Sequence, residues 1–453
     1  MKRRLKFVPT STQIVMFSFL AAILLGSVLL VLPISSADGE SVPYIDALFT
    51  ATTATCVTGL VTLPTVSTWS IFGQVIILIL IQIGGLGIIT VMSGLMLALN
   101  RKMGLRDSQL IGDAFNLNSL SGLGQFVKRV IIGTLIVELI GALLYMTVFI
   151  PYFGARGIWI SVFNSVSAFC NAGIDIVGHN SLCDYACNPL INGVTGALVI
   201  LGGIGYIVWW DVLRVLKNIK KQGVASLRGL TLHSKIAICA TLILIFGGAL
   251  LILVFEYGNP LTLGPLSTFD KIQTALFQSI TTRTAGFASL PQENLTDASA
   301  IISMVLMFIG GSPVGTAGGI KTVSAVVIMA TATATIRNRG AVTMFNRELS
   351  HKVIGKAVAV TAMSFAIMLA STICLMQVTD APAMDVLYET VSATATVGLT
   401  RNFTSTLDVF GKLIIIFTMY LGRIGPISLA VVFNSKKQTT DNIKNPIEEI
   451  SVG

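Results

Sequence analysis

One feature constrains this chain more than any other: a weakly apolar stretch, too short to cross a bilayer and followed at once by small residues centred on a glycine, occurs four times. The stretches run from Pro43 to Ala54, Ile158 to Phe169, Thr268 to Thr281 and Pro382 to Thr394. They lead into Thr55-Cys-Val-Thr-Gly59, Phe169-Cys-Asn-Ala-Gly173, Thr282-Arg-Thr-Ala-Gly286 and Thr394-Ala-Thr-Val-Gly398. Successive glycines stand 114, 113 and 112 residues apart. A second set follows 25, 29, 24 and 24 residues later: Gly84-Gly-Leu-Gly87, Gly202-Gly-Ile-Gly205, Gly310-Gly-Ser-Pro-Val-Gly315 and Gly422-Arg-Ile-Gly-Pro426. Among 42 glycines a single coincidence would mean little, but two co-registered sets at a near-constant period define an internal repeat.

Each short stretch lies between two long apolar runs. The runs are Ile14 to Ile34, Ile71 to Leu99, Val130 to Ile150, Leu190 to Trp210, Ile236 to Phe255, Ala298 to Ile336, Ala357 to Met376 and Leu413 to Phe433. They predict eight crossings in four pairs. About 12 residues at 1.5 Å each reach roughly 18 Å, against a hydrocarbon core of about 30 Å, so the short stretches are expected to be re-entrant. With 53% hydrophobic and 11% charged residues, where soluble domains carry about 25% charged, a water-soluble globule is excluded. The expected fold is an all-α polytopic membrane protein of four parallel helix, pore-loop, helix repeats around a pseudo-fourfold central pore. Its units are residues 1–100, 101–222, 223–345 (with a broken inner helix) and 346–435, followed by a cytoplasmic tail, 436–453.

The charges give the orientation. Of the 30 Lys and Arg, 23 fall in five blocks: Lys2 to Lys6, Arg101 to Arg129, Arg214 to Lys235, Arg337 to Lys356 and Lys436 to Lys444. The intervals 36–70, 151–189, 256–299 and 380–412 hold 13 acids and 5 bases. This positive-inside pattern puts both termini in the cytoplasm and makes the repeats parallel rather than inverted. The bases are scattered between apolar runs, not gathered on one face with stacking aromatics, which argues against nucleic acid. The first run, 21 residues long, exceeds the span of about 7 to 15 expected of a signal peptide and reads as an uncleaved crossing. Of the six cysteines, Cys183 and Cys187 share an outer loop where a disulfide is conceivable, although a reduced, structural reading suits all six.

Non-helical backbone at membrane depth is tolerated only where it is buried in protein or lines water. Four such segments around one axis make a carbonyl-lined pore, since glycine allows left-handed backbone and close approach and lets carbonyls replace a cation's hydration shell. The expected ion-binding residues are Val57, Thr58 and Gly59; Asn171, Ala172 and Gly173; Thr284, Ala285 and Gly286; and Thr396, Val397 and Gly398. Each short helix would aim its partially negative carbonyl end at the central cavity. The acidic outer intervals would concentrate cations at the mouth. As an alternative, the second glycine set serves close helix packing alone, and the threonines are plain helix ends.

The third inner run departs from the others. It reads Gly310-Gly-Ser-Pro-Val-Gly-Thr-Ala-Gly-Gly-Ile-Lys321, five glycines and a proline within 12 residues, which should interrupt a helix. An unwound loop there would plug the path below the filter, with Gly310, Gly311, Ser312, Gly315, Thr316, Gly318, Gly319 and Lys321 as candidate gating residues. A static kink is the alternative. A phosphate-binding reading fails, because Ile320 precedes Lys321 and no strand leads into the segment. Arg423 sits within the last apolar run, where a charge is costly unless it is functional or paired. Glu138, on an outer helix, is expected to pair locally or to face a subunit interface.

Together, the loops ending at Gly59, Gly173, Gly286 and Gly398, the Ser312 to Lys321 region and Arg423 resemble the Ktr, Trk and HKT superfamily of potassium transporters over nearly the whole chain. The bacterial Ktr-type potassium-translocating subunit is the expected kind, since the first span follows directly on the amino terminus. The resemblance implies potassium uptake across the cytoplasmic membrane, K+ held by filter carbonyls, an intramembrane gating loop, and an arginine that contacts this loop and forms an electrostatic barrier. It also implies a homodimer on a cytosolic ring of regulatory subunits, with nucleotide bound only by that partner. Sodium is a candidate activator, and no covalent cofactor is expected. In related plant transporters a serine at the first filter glycine accompanies sodium preference, so glycine at position 59 favours potassium. Departures from fourfold identity at Val57, Asn171, Thr284 and Thr396, and Arg283 beside the third loop, imply fewer well-formed ion sites than in a symmetric channel.

Two other classes were weighed. An ion-coupled carrier of organic solutes needs broken helices in symmetry-related halves, and from sequence only the third unit is clearly broken. An enzyme needs clustered reactive groups, whereas His179, His233 and His351 lie in separate loops and no His-Glu-x-x-His or Gly-x-Ser-x-Gly motif occurs.

Overall fold

The computed structural model of the protein describes residues 11–87, 90, 91, 93 and 123–425. The basic blocks Lys2 to Lys6 and Lys436 to Lys444, most of the block from Arg101 to Arg129, and the tail 436–453 lie outside the described residues.

The chain forms four triplets of helices, each with a long outer helix, a short buried helix and an inner helix. The first contains α1 (Ser11–Val31), α2 (Tyr44–Cys56) and α3 (Ile71–Leu86). The second contains α4 (Leu123–Phe153), α5 (Arg156–Cys170) and a bent inner pair, α6 (Pro189–Gly203) and α7 (Tyr206–Gln222). The third contains α8 (Leu232–Glu256), α9 (Thr268–Thr281) and a split inner helix, α10 (Asp297–Phe308) and α11 (Thr322–Ile336). The fourth contains α12 (His351–Met376), α13 (Ala383–Ala395) and α14 (Val409–Ile424). Local chemistry starts several of these helices. The side chains of Thr231, Ser267, Thr296 and Asp408 each accept the N–H three residues on, satisfying donors that an open helix end leaves unpaired.

Burial runs opposite to that of a soluble bundle. The outer helices expose large apolar side chains, among them Leu25 (68%), Leu139 (60%), Ile243 (70%) and Phe365 (52%), as a lipid-facing surface requires. The short helices are enclosed: Phe49, Phe163, Phe277 and Tyr388 lie in the interior beside small and hydroxyl-bearing neighbours. Each inner helix packs on the short helix of the next triplet. Thus α3 meets α5, α6 meets α9, α10 meets α13, and α14 returns to α2, closing a pseudo-fourfold ring. The last contact includes an ion pair, Lys412 Nζ to Asp46 Oδ1 at 2.6 Å.

The inner helices of the first, second and fourth repeats correct the expectation of full-length inner spans, which exempts only the third. Among the described residues, Gln13–Val31, Leu123–Phe153, Leu232–Glu256 and His351–Met376 are long and apolar enough to cross a membrane; these are the outer helices. The expected runs Ile71 to Leu99, Leu190 to Trp210, Ala298 to Ile336 and Leu413 to Phe433 are interrupted or end at the second glycine set. Helix α3 stops at Leu86, the α6–α7 pair bends by 100° around Ile204 and Gly205, α10 stops before Gly310, and α14 stops at Ile424. The cause is backbone sign. Gly87, Gly205 and Gly425 have φ of 80°, 94° and 85°, which a right-handed helix cannot include. Repeat two is therefore broken as well as repeat three, contrary to the sequence reading.

Candidate functional site

A left-handed residue follows each of the four short helices, directly in the first, second and fourth and three residues on in the third. Val57, Asn171, Thr284 and Thr396 all adopt left-handed backbone, with φ of 49°, 58°, 63° and 51°, although none is glycine. Two residues on, Gly59, Gly173, Gly286 and Gly398 have φ of 99°, 65°, 82° and 101°. In the first, second and fourth repeats a six-residue closure accompanies the turn: Thr58, Ala172 and Val397 donate their N–H groups to Thr53, Ser167 and Ser392 at 2.9, 2.8 and 2.8 Å. The third differs, with Ala285 donating to Thr281 at 2.9 Å.

The glycines meet in a ring. A Cβ on Gly59 would stand 2.7 Å from the Ala172 carbonyl oxygen, and one on Gly173 would stand 2.7 Å from that of Ala285. One on Gly286 would strike the Val397 carbonyl, and one on Gly398 would strike that of Thr58. Each glycine thus faces the carbonyl preceding the next glycine, in the order first, second, third, fourth, first. Only a residue without a side chain fits, so backbone carbonyls line the constriction. The same four glycines floor a cavity of about 450 Å³, which Asp175, His179 and Glu293 also line.

Hydroxyls behind the ring hold it, and sequence reasoning missed them. Thr53 and Ser392 accept the N–H groups of Gly59 and Gly398 at 2.9 and 3.0 Å. Ser167 and Thr281 instead donate to the carbonyls of Ile174 and Phe287, one residue beyond Gly173 and Gly286. The legible signal was a hydroxyl six residues before three of the glycines and five before Gly286.

The second glycine set packs against these helix ends, as the alternative reading allowed. A Cβ on Gly84, Gly202 or Gly422 would collide with the carbonyl of Thr55, Phe169 or Thr394, three equivalent positions. In the third repeat Gly310 instead meets Gly318 of its own loop. Between α10 and α11 the chain is unwound from Ile309 to Lys321 and folds back on itself. Ile320 N–H donates to Phe308 O at 3.1 Å, and Gly310 N–H donates to Ile320 O at 2.9 Å. The loop leans on the second repeat, with Ser312 N–H on Gly203 O at 2.8 Å and Thr316 N–H on Gly202 O at 3.0 Å. Gly315 packs against Gly202 and Gly203. Ser312 and Thr322 share a hydroxyl contact of 2.9 Å, and Lys321 Nζ donates to Ala317 O at 2.7 Å. Gly311 packs on Ala317, Gly319 on Gly310, and Gly318 on the side chain of Thr396. The expected loop residues are therefore together, directly against the helix ends that bear the ring.

Arg423 reaches the same place from α14. It is half-buried, donating from Nη1 to Thr316 O at 2.7 Å and from Nη2 to Gly84 O. It joins the loop to the inner helix of the first repeat. Arg283, expected beside the third loop, is buried and donates to Gly310 O at 3.3 Å and Thr241 Oγ1 at 3.4 Å. Glu138 pairs locally, with Gln82 Nε2 donating to it at 3.3 Å and Cys170 Sγ 3.9 Å away. Among the described residues, no three His, Cys, Asp or Glu side chains gather as a metal-binding group, and all six cysteines are free.

A profile of the TrkH family, described as cation transport protein, matches residues 4–444. The chain is 38% identical over 445 residues to the Ktr system potassium uptake protein B of Bacillus subtilis, covering 98% of this chain and 97% of that relative. It is 36% identical over 461 residues to the potassium/sodium uptake protein NtpJ of Enterococcus hirae, covering 100% and 99%. The solved structure of the potassium transporter TrkH from Vibrio parahaemolyticus superposes with a TM-score of 0.74 at 15% identity, covering 96% of this chain and 87% of that one.

Proposed function

The chain belongs to the TrkH family of cation transport proteins, as a multi-pass membrane subunit of the Ktr/Trk potassium-transporter kind, and from this premise we propose that potassium enters through the four-glycine ring, gated from below by the loop 310–321. The observation that carries the reading is the closed cycle in which each glycine faces the carbonyl before the next. Four backbone segments presenting carbonyls to one axis replace a cation's water without charged side chains, so the ion is bound well enough to enter and weakly enough to leave. The residues 57–59, 171–173, 284–286 and 396–398 supply this lining. Potassium is the substrate here, not a resident cofactor.

Below the ring, the loop and Arg423 act as the barrier. A guanidinium held at two carbonyls places a fixed positive charge near the path, and a cation passing it is repelled unless loop and arginine move aside together. A deletion of residues 311–319 is expected to raise basal rubidium flux into liposomes; flux equal to wild type at normal yield would reject the loop as a gate.

The distribution of basic blocks along the sequence supports a cytoplasmic side for both termini. The basic segments Arg101 to Arg129, Arg214 to Lys235 and Arg337 to Lys356 are the proposed docking surfaces for a cytosolic ring of nucleotide-binding regulatory subunits serving a homodimer; the alternative is that these bases only orient the helices. Copurification of such a ring with the full chain, lost on neutralising Arg337, Arg339 and Arg347, tests that assignment. Sodium is a candidate stimulating ion, and the potassium/sodium name of the Enterococcus relative makes it the first to try. The transport reading itself is tested by potassium and rubidium uptake against sodium in liposomes holding the purified protein, with and without the ring.

The outer cavity adds a pH dependence. Asp175 lines it two residues beyond Gly173, accepting Val177 N–H at 3.3 Å, and burial pushes its carboxyl up to about 6. Above that pH the carboxylate is ionised and attracts cations to the mouth; below it the group is neutral. Lowering external pH from about 7 to about 5 is therefore expected to raise the KM for potassium, by up to roughly fivefold if one charge near the path is worth about 1 kcal/mol. Asp175→Asn should carry the higher KM at both pH values, and a wild-type pH profile in that variant would refute the assignment.

A further inference from the structure

The loop touches the ring's supports at one point more closely than a plug requires. Thr316, fully buried, stands with its Oγ1 3.1 Å from Phe169 O and 3.0 Å from the Asn171 side-chain amide. Phe169 and Asn171 are the end of α5 and the left-handed residue that turns the chain into the second filter segment. A threonine hydroxyl has one proton and cannot serve two acceptors. With the Asn171 amide turned so that Nδ2 faces Thr316, the amide donates to the hydroxyl and the hydroxyl donates to the Phe169 carbonyl. That arrangement also gives a partner to Nδ2, which is otherwise buried without one. Thr316 is tied on its other side too: its N–H meets Gly202 O, and its carbonyl accepts Arg423 Nη1 at 2.7 Å. Asparagine occurs only in the second repeat, where Val57, Thr284 and Thr396 hold the equivalent place.

Resting on the gating role of the loop, we infer that Thr316 and Asn171 form a latch through which the state of the loop sets the geometry of the second filter segment. When the loop is seated, the latch holds the left-handed turn at Asn171 and the carbonyls that follow it. When the loop leaves, Phe169 O and the Asn171 amide lose their buried hydrogen-bond partner, so the second segment relaxes. Loop opening and ion selection are then one coupled equilibrium. Thr316 is a positioning residue: it touches the filter's support, not the ion.

The test uses the full-length protein in liposomes, reading two quantities: basal rubidium flux, and the potassium-to-sodium permeability ratio from reversal potentials. Thr316→Val, which keeps shape and removes the hydroxyl, is expected to raise flux and lower the ratio by about tenfold or more, since it leaves both the Phe169 carbonyl and the Asn171 amide without that buried partner. Thr316→Ser should restore both. Asn171→Ala combined with Thr316→Val should cost little more than Thr316→Val alone, since the valine already removes the hydroxyl to which the amide donates. Should Thr316→Val fail to fold, Thr316→Cys, with a weak donor of similar size, is read in the same way. A variant with raised flux and an unchanged ratio overturns the latch while leaving the gating loop standing. Wild-type flux in the loop deletion removes the gating reading, and the latch with it. Additive effects of the two substitutions on the ratio also overturn the latch.

Discussion

Replacing Gly59 by serine is expected to collapse discrimination between potassium and sodium, on the order of tenfold or more in relative permeability, about 1.4 kcal/mol per factor of ten. Gly59 has a φ of 99°, which a side chain rarely adopts, and its Cβ would stand 2.7 Å from Ala172 O, 3.1 Å from the Gly173 Cα and 3.2 Å from the Gly398 Cα. A carbon this close to backbone atoms of both adjacent segments cannot be absorbed by rotating a flexible chain. The carbonyls before and after it must shift, and on the proposed reading their spacing is what selects the ion. Three of the four segments are disturbed by one substitution. The measurement is rubidium uptake against rising sodium in liposomes: sodium should become a strong competitor in Gly59→Ser, and a wild-type competition curve would contradict the carbonyl filter. Gly398→Ser, with a φ of 101° and Thr58 O against it, should behave the same way.

The second large effect belongs to Arg423. Its two donors hold the loop at Thr316 O and the first repeat at Gly84 O. Hydrogen bonds from a charged donor contribute about 1.5–3 kcal/mol each. Losing the one to the loop therefore shifts the closed-to-open ratio by roughly ten- to a hundredfold. Arg423→Ala is expected to raise basal flux by a factor in that range and to reduce its dependence on any cytosolic regulator. Arg423→Lys separates charge from tether. Lysine keeps the positive charge but has no planar fork to span two carbonyls, so it should leave the electrostatic barrier and lose the bridge. Low flux in the lysine variant assigns the barrier mainly to charge; high flux assigns it to the tether. Wild-type flux in Arg423→Ala at normal yield would remove the residue from gating.

The architecture was legible because it is written in glycine spacing and helix length. A stretch of 12 residues cannot cross, and the positions of Gly59, Gly173, Gly286 and Gly398 are those the structure brings to one axis. The continuity of the first, second and fourth inner helices was misread, because apolar composition carries no sign of backbone handedness. Gly205 lies in a run whose hydropathy does not dip, yet its φ of 94° turns the chain by 100°. The bracing hydroxyls of Thr53, Ser167, Thr281 and Ser392 were hidden for another reason. A threonine near a helix end has several satisfactory partners, and which one it takes depends on a loop that folds back over it. Asp175 was counted among outer acids but not singled out, since its enclosure depends on a cavity assembled from all four repeats. Arg283 was placed near the third loop by sequence alone, and only the fold shows that it holds the first carbonyl of the unwound segment.

The ring is also closed by a pair of residues at nearly opposite ends of synthesis. Three of its four boundaries are crossed by the chain itself, but the fourth joins Lys412 to Asp46, 366 positions apart, and Tyr420 to the Met16 carbonyl. Gly398 likewise meets Thr58 O only when the last repeat lies beside the first. A nascent chain with three repeats inserted has three filter segments and an open side. Its inward-facing carbonyls then lack one neighbour, and the polar lining meets lipid unless something else covers it. Such contacts of high sequence separation form late and slowly. Assembly of the ring therefore waits on the fourth repeat: until that repeat swings round to the first, the inserted protein has no closed ring of glycines for an ion to cross.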